Sequence, residues 1–389
     1  MKRSGLIAFG LLIILLILGM WLYLFLNGAP ENTQEVFTNL GIASSTPTTR
    51  VEDIQGLEAG DTKLAPQNSV LQQLTTKAVA GFGFSEENPN IIAYAERGTG
   101  YIYTINTSSG IQEQISLMTI PQTTQAVFSP NIQAVALTVY AQQGSEVAVG
   151  TLTAGDTTLH TTKLPKGATN LAFKDDTTLY FTLEKGGTTV GYSYSLKTEA
   201  ESVLFTIPFV DAKMLWGAPA TDISIQTKPS QFLEGYLYKI INGRLSALPQ
   251  KGLGLTVFSH KKYTIASVVQ EEKYLSFAHS NGTTTQQPIL MLPEKCVFAL
   301  PSTDSVWCAS PLQNPQASYL EDWYKGITTS NDELWSVNLS TQQATRVGNL
   351  FKLSGRVIDV TDLTLNTDGT TLLFSNKIDQ TLWLYRVER

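Results

Sequence analysis

The sequence predicts an all-β chain: a β-propeller of four-stranded blades, preceded by one N-terminal transmembrane helix. Three observations carry this. An uncharged apolar run stands near the N-terminus. Beyond residue 70, short strand-like runs alternate with Gly, Asn, Asp, Ser and Thr turns, with no helical periodicity. Within that region one strand–turn–strand unit returns at a spacing in the forties.

The first element is Gly5–Leu26, 22 residues without a charge. At about 1.5 Å per helical residue it spans the ~30 Å hydrocarbon core. Lys2 and Arg3 precede it and Glu31 is the first charge after it. The positive-inside rule then leaves the tail 1–4 in the cytoplasm and the rest of the chain outside. Trp21 and Tyr23 fall where an outer aromatic belt forms. A cleaved signal peptide is the competing reading, but its apolar region is shorter, and Asn27-Gly28-Ala29 is a poor cleavage site. No cysteine follows, which excludes a lipoprotein. Residues 27–67 are small, polar and rich in Pro and Gly, so they bury too little to offset ordering entropy. They are expected to be a flexible linker, with an ordered irregular cap as the alternative.

The domain 68–389 follows. Copies of its unit begin at Gly100 (GYIYTINTSSGIQEQIS), Val147, Val190, Gly235, Tyr274, Glu333 and Thr381. Anchored on the apolar residue before each turn (Ile105, Leu152, Leu196, Ile240, Ala278, Val337 and Tyr385), the spacings are 47, 44, 44, 38, 59 and 48. Two further strands lie between copies, joined by Pro130-Asn131, Asp175-Asp176 or Asp368-Gly369 turns. Four strands per period make one blade, and seven anchors make seven blades. The irregular spacings of 38 and 59 keep six or eight open. The chain ends on a third strand, and a propeller does not leave that edge unpaired. Residues 69–76 are therefore expected to pair with 382–387 and close the ring.

In this pattern the chain resembles the broad group of WD-type and TolB-like β-propellers, and more narrowly the membrane-anchored propellers of bacterial envelope proteins. The resemblance covers about 320 residues and is one of pattern; no strict Trp-Asp or Gly-His signature is present. It implies the fold and a binding-type role, and it carries no catalytic residue across.

Both cysteines, Cys296 and Cys308, flank one turn of the sixth blade. If Leu300 faces Asp304, the register sets Cys296 opposite Cys308, at a separation that a disulfide can bridge. An extracytoplasmic domain would keep such a bond; two buried thiols are the alternative. The 59-residue spacing comes from an insertion, 311–332, directly after the second cysteine. Its Tyr319, Trp323 and Tyr324 are candidate partner contacts, since Trp and Tyr are favoured interface anchors. The bland alternative is that they fold back onto the blade edge or an end of the central channel.

Composition narrows the function. Without Lys2 and Arg3 the chain keeps 25 basic against 33 acidic residues, a net charge of −8, which offers nothing to nucleic acid. His160, His260 and His279 lie on different blades without metal-ligand spacing, so no metal and no cofactor are expected. The Ser259–Lys262 S-x-x-K match lacks its helix and partner motifs. The Asp-rich turns lack a calcium loop's spaced ligands. Asn106, Asn281 and Asn338 open N-x-[ST] triplets, which matter only in a host that glycosylates them. The expectation is a single-pass inner-membrane protein, not an enzyme, whose extracytoplasmic propeller binds or scaffolds a protein or peptide partner of the envelope. The alternative is an envelope hydrolase or lyase with its site in the central channel. Convergent carboxylates and cations in that channel would favour the alternative; an apolar channel beside an exposed aromatic loop would favour binding.

Overall fold

The computed structural model describes Leu18 and residues 69–387, without 143, 154, 218–222, 300, 301 and 303. The tail 1–4, the membrane segment 5–26 apart from Leu18, and the linker 27–67 lie outside the described residues. The described propeller falls in one compact unit, Ala59–Arg389.

Seven four-stranded antiparallel sheets form the propeller. Six are consecutive meanders. The first runs from Val79 to Ser116, the second from Thr123 to Lys163 and the third from Thr169 to Ile207. The fourth spans Ala212–Leu253, the fifth Thr256–Gln286 and the sixth Cys296–Asn349. The seventh takes three strands from Val360–Arg386, and its fourth is Leu71–Gln73 from the start of the domain. That strand pairs Leu71 with Tyr385 and Gln73 with Trp383. Flanking bonds extend the seam: Leu74 N donates to Leu382 O at 2.8 Å and Arg386 N to Val70 O at 2.7 Å.

Burial grades outward across each blade, which explains why the repeat was visible. Second strands are covered on both faces by neighbouring blades, so they are apolar almost throughout: Ile91–Glu96 is buried at five of six positions. Fourth strands face water and turn polar, as at Ile111–Ser116 and Thr283–Gln286. Adjacent blades interlock through these apolar faces. Ile92, Tyr94 and Ile105 of the first blade pack with Leu373, Leu382 and Leu384 of the seventh. Each fully buried Leu or Ile contributes about 1.5–3 kcal/mol.

Two short helices interrupt the strands, where the sequence shows no helical period. One, α1, is Tyr319–Tyr324 inside the insertion; the other, α2, is Leu350–Ser354 after the sixth blade. Neither is long enough to display a repeat. Helix α1 is held by its buried side: Tyr319, Leu320 and Trp323 pack with Tyr274, Leu290 and Leu292 of the fifth blade region. Helix α2 is capped by Asn349, whose side chain accepts from Lys352 N, and ends at Gly355 in the left-handed region. Among the described residues no helix is long and apolar enough to cross a membrane.

Candidate functional site

One end of the propeller gathers the chemistry. The innermost strands begin on this face, and the loops between second and third strands lie on it too. A cavity of about 870 Å³ opens there. Its wall draws Asn170 from the third blade, Asp211, Lys213 and Lys228 from the fourth, and Glu294, Glu321 and Tyr324 from the sixth. A second cavity of about 460 Å³, between the first two blades, holds Glu113 and Asp156 but no cation.

Glu294 is the centre of the site. It sits in a single turn, Pro293–Lys295, that starts the sixth blade's inner strand, and its side chain is 14% exposed. Lys213 Nζ donates to Glu294 Oε1 at 2.6 Å, and Tyr324 Oη donates to the same oxygen at 2.6 Å. Oε2 is buried and finds no partner on any other residue. Burial pushes this carboxyl up, but the Lys213 charge and the two donated bonds outweigh it, so Glu294 lies below the usual carboxylate range. Tyr324 is 42% exposed. Burial around the phenol, then the charge of Glu294, lifts it well above its ordinary value.

Asp362 behaves oppositely. It lies in the seventh blade's inner strand, Val360–Leu365, where the register slips between Thr361 and Thr364. Its φ of 57° is left-handed, a conformation Asp tolerates better than most residues. Such bulges re-aim side chains and concentrate next to active sites. Asn170 occupies the same bulged place in the third blade, with φ 51°. There the amide is consumed in tying blades together: Nδ2 donates to Thr182 Oγ1 at 2.9 Å and Oδ1 accepts from Met214 N at 3.3 Å. Asp362 is instead an exposed position of its strand. Desolvation by the surrounding walls, then the charge of Glu294, pushes its carboxyl up to about 6, against the opposing pull of Lys213, the Thr361 hydrogen bond and Lys377. The two carboxyls are thus driven in opposite directions.

Beneath the site lies a buried charge cluster. Lys295 is fully buried and donates to Asp332 Oδ2 and Asp359 Oδ1, each at 2.5 Å, and to Ser330 Oγ at 3.0 Å. Trp323 Nε1 is shared between Asp359 Oδ1 and Oδ2 at 3.0 and 2.9 Å. Lys295 and Lys377 lie over the Trp323 ring, 5.0 and 4.6 Å from its centroid.

The residues singled out from sequence fall as follows. Tyr319 and Trp323 are buried under α1, 8% and 2% exposed, and Tyr324 alone of the three reaches solvent. Cys296 and Cys308 are opposite in register, with Cα atoms 4.1 Å apart and sulfurs at disulfide distance. Glu294, Asp362 and Lys213 were missed by sequence reasoning. They come from three blades and form no linear motif. One trace was present: charges at Glu294-Lys295 and Asp359/Asp362 interrupt apolar runs, "MLPEKCVF" and "VIDVTDLTL", at places where inner strands begin.

No family model matches the chain, and no curated protein matches it. Solved structures do. An oligogalacturonate lyase in complex with manganese is 10% identical with a TM-score of 0.57, covering 82% of this chain and 93% of its own. An oligogalacturonate lyase from Vibrio parahaemolyticus is 9% identical with a TM-score of 0.55, covering 82% and 94%. The β-propeller domain of the Trilobed protease from Pyrococcus furiosus, described as having an open velcro topology, is 12% identical with a TM-score of 0.51, covering 80% and 93%. The manganese belongs to that lyase complex; among the described residues here no group of three or more His, Cys, Asp and Glu side chains could hold a metal ion. These identities show the fold alone and do not establish the WD-type or TolB-like grouping. They overturn one expectation. The absence of a linear catalytic motif suggested a protein that is not an enzyme, yet chains of this fold include lyases. Propeller sites are assembled from several blades, so a missing motif carried no weight. The chain is a seven-bladed β-propeller of four-stranded blades, a fold on which enzymes are built.

Proposed function

We propose that this chain is a membrane-anchored, extracytoplasmic hydrolase or lyase that cleaves C–O bonds in an extended polar polymer of the cell envelope, a polysaccharide, at the mouth of the propeller channel. The observation that carries the reading is the pair Glu294 and Asp362, whose proton affinities diverge, with Glu294 in the wall of an open cavity of about 870 Å³. That volume lies in the range of ligand sites. The fold-level likeness to oligogalacturonate lyases supports a saccharide as analogy only. The localisation rests on the uncharged run 5–26 and on the cysteine pair, which an oxidising compartment would keep joined.

In the hydrolytic form, protonated Asp362 gives its proton to the leaving oxygen as the C–O bond breaks. Glu294 takes a proton from the incoming water, and the water oxygen bonds to carbon. In the eliminative form Glu294 takes the proton from carbon instead, and the C–O electron pair leaves to the oxygen that Asp362 protonates. Lys213 and Tyr324 hold Glu294 ionised and fixed in both.

A purified full-length chain in detergent, offered extracytoplasmic polysaccharides, should release products detectable by mass spectrometry. General acid–base catalysis contributes about 10²–10⁴-fold, so Glu294→Gln and Asp362→Asn should each lower turnover by about 100-fold or more while remaining folded. The rate should fall above about pH 6, as Asp362 loses its proton. Product formation untouched by both substitutions, or no cleavage of any polysaccharide, would sink the reading.

A second reading is a scaffold for an envelope protein or peptide. It is favoured by Phe232, Leu233 and Ile327, 78%, 71% and 71% exposed. Gln231 N donates to Glu321 Oε2 at 3.2 Å, so the loop bearing Phe232 and Leu233 touches α1. Cross-linking in intact cells, lost when Phe232 and Leu233 become Ser, would support it.

A further inference from the structure

The three groups of the site come from separate parts of the chain, yet their sequence neighbours converge on one buried carboxylate. Asp359 is fully buried at the entry to the seventh blade's inner strand. Lys295, bound to Asp359 Oδ1, is the residue after Glu294. Trp323, whose indole N–H is shared by both Asp359 oxygens, is the residue before Tyr324. Asp362 lies three residues beyond Asp359 on the same strand. Ser330, near the end of the insertion, gives Asp359 two more bonds: N to Oδ2 at 3.1 Å and Oγ to Oδ1 at 2.9 Å. Asp359 is itself fixed, because its N–H donates to Asn376 Oδ1 at 3.0 Å.

We infer that Asp359 is the positioning residue of the site: through Lys295 and Trp323 it sets Glu294 and Tyr324 in place against the strand that carries Asp362. The inference rests on the acid–base reading of those residues for its functional meaning, while its test does not. The geometry requires an anion here. A buried Lys295 needs counter-charge, and Asp332 and Asp359 both supply it. A neutral core residue could fill the space and seal the blades. It would not hold an ammonium and an indole N–H at once, each from a residue whose chain neighbour, Glu294 or Tyr324, lines the cavity. The insertion is thereby a docked part of the site: with α1 undocked, Tyr324 would leave Glu294, whose remaining partner is Lys213.

The full-length chain in detergent micelles, labelled with [¹³Cζ]tyrosine, tests this. The Tyr324 resonance is the one missing from Tyr324→Phe, and Glu294→Ala shows where it moves when its acceptor is gone. Trp323→Phe keeps an aromatic ring and removes only the indole donor; Asp359→Asn keeps the shape and removes the charge. Both are expected to shift the Tyr324 resonance toward its Glu294→Ala position. Val337→Ala, a truncation in the same blade's core, is expected to leave it in place. A Tyr324 resonance unmoved by Trp323→Phe overturns the inference, and Trp323→Phe decides it if Asp359→Asn does not fold. An equal shift in Val337→Ala also overturns it, because the site would then be answering to general loosening. Polysaccharide cleavage is scored separately, so positioning without catalysis and catalysis without positioning give different results.

Discussion

Replacing Lys295 with Met would place an unbranched apolar stem in the same volume and remove a cation bonded to two buried carboxylates. Lys295, Asp332 and Asp359 all have fully buried side chains. Breaking a buried ion pair from one side leaves an uncompensated charge and costs about 3–5 kcal/mol. The propeller has roughly 320 residues, and unfolding entropy is about 2.1 cal/mol/K per residue, or ~0.7 kcal/mol/K in all. The expected loss is then about 4–8 °C in Tm at pH 8, read by calorimetry on the full-length protein. The loss should also depend on pH. In the variant, Asp332 has lost its cation and holds a proton in the folded state at pH values where the unfolded chain, with carboxyls near ~3.9, has released it. The folded state then binds more protons, so stability falls as pH rises through that window. The deficit should be smaller at pH 5 than at pH 8. In the unsubstituted protein burial already raises Asp332, against the pull of Lys295. A Tm loss under 2 °C at pH 8, or an equal loss at both pH values, would refute the argument that Lys295 neutralises this cluster.

Two other perturbations separate function from stability. Asp362 has its carboxyl raised to about 6 in the folded chain, so the group destabilises the fold as pH rises from about 4 through 6. Asp362→Asn should therefore be more stable than the parent above pH 7, by under about 1 kcal/mol after screening by channel water, and indistinguishable below pH 4 in urea titrations. At the ring seam, Leu74 is 4% exposed and packs between the first and seventh blades. Leu74→Ala should cost about 2–4 kcal/mol, with hydrogen-exchange protection lost first at Leu382 and Leu384; uniform loss across all blades would argue against a weak seam.

The blades were legible because each repeats one physical problem. A second strand covered on both faces must be apolar, and a rim strand must be polar, so the chain writes that gradient seven times. All seven apolar anchors, from Ile105 to Tyr385, stand on third strands or just after them. The site was not legible for the converse reason. Lys213 and Glu294 are 81 residues apart, and Glu294 and Tyr324 are 30 apart. They meet only because a closed ring brings inner-strand starts onto one face. Trp323 shows a second limit. Aromatic content alone suggested a partner contact, and the sequence does not reveal that Asp359 waits 36 positions on to accept its indole N–H. Helix α1 was invisible because its six residues owe their shape to docking.

The seam between Leu71–Gln73 and Leu382–Arg386 also dictates the order of events in biosynthesis. Gln72 and Arg386, joined across it, are 314 residues apart in the chain. The six meander blades can each form from local hairpins as soon as their strands emerge, whereas the first strand made has no mate until the last one appears. Throughout synthesis it is a bare edge with a bare counterpart still to come. Closing so long a loop carries an entropy that grows only with the logarithm of its length, so once the blades have curled into an arc the penalty is already met by their packing. Ring closure thus waits for the last strand, and until then both edges of the seam are unpaired and open to strand exchange with another copy of the chain.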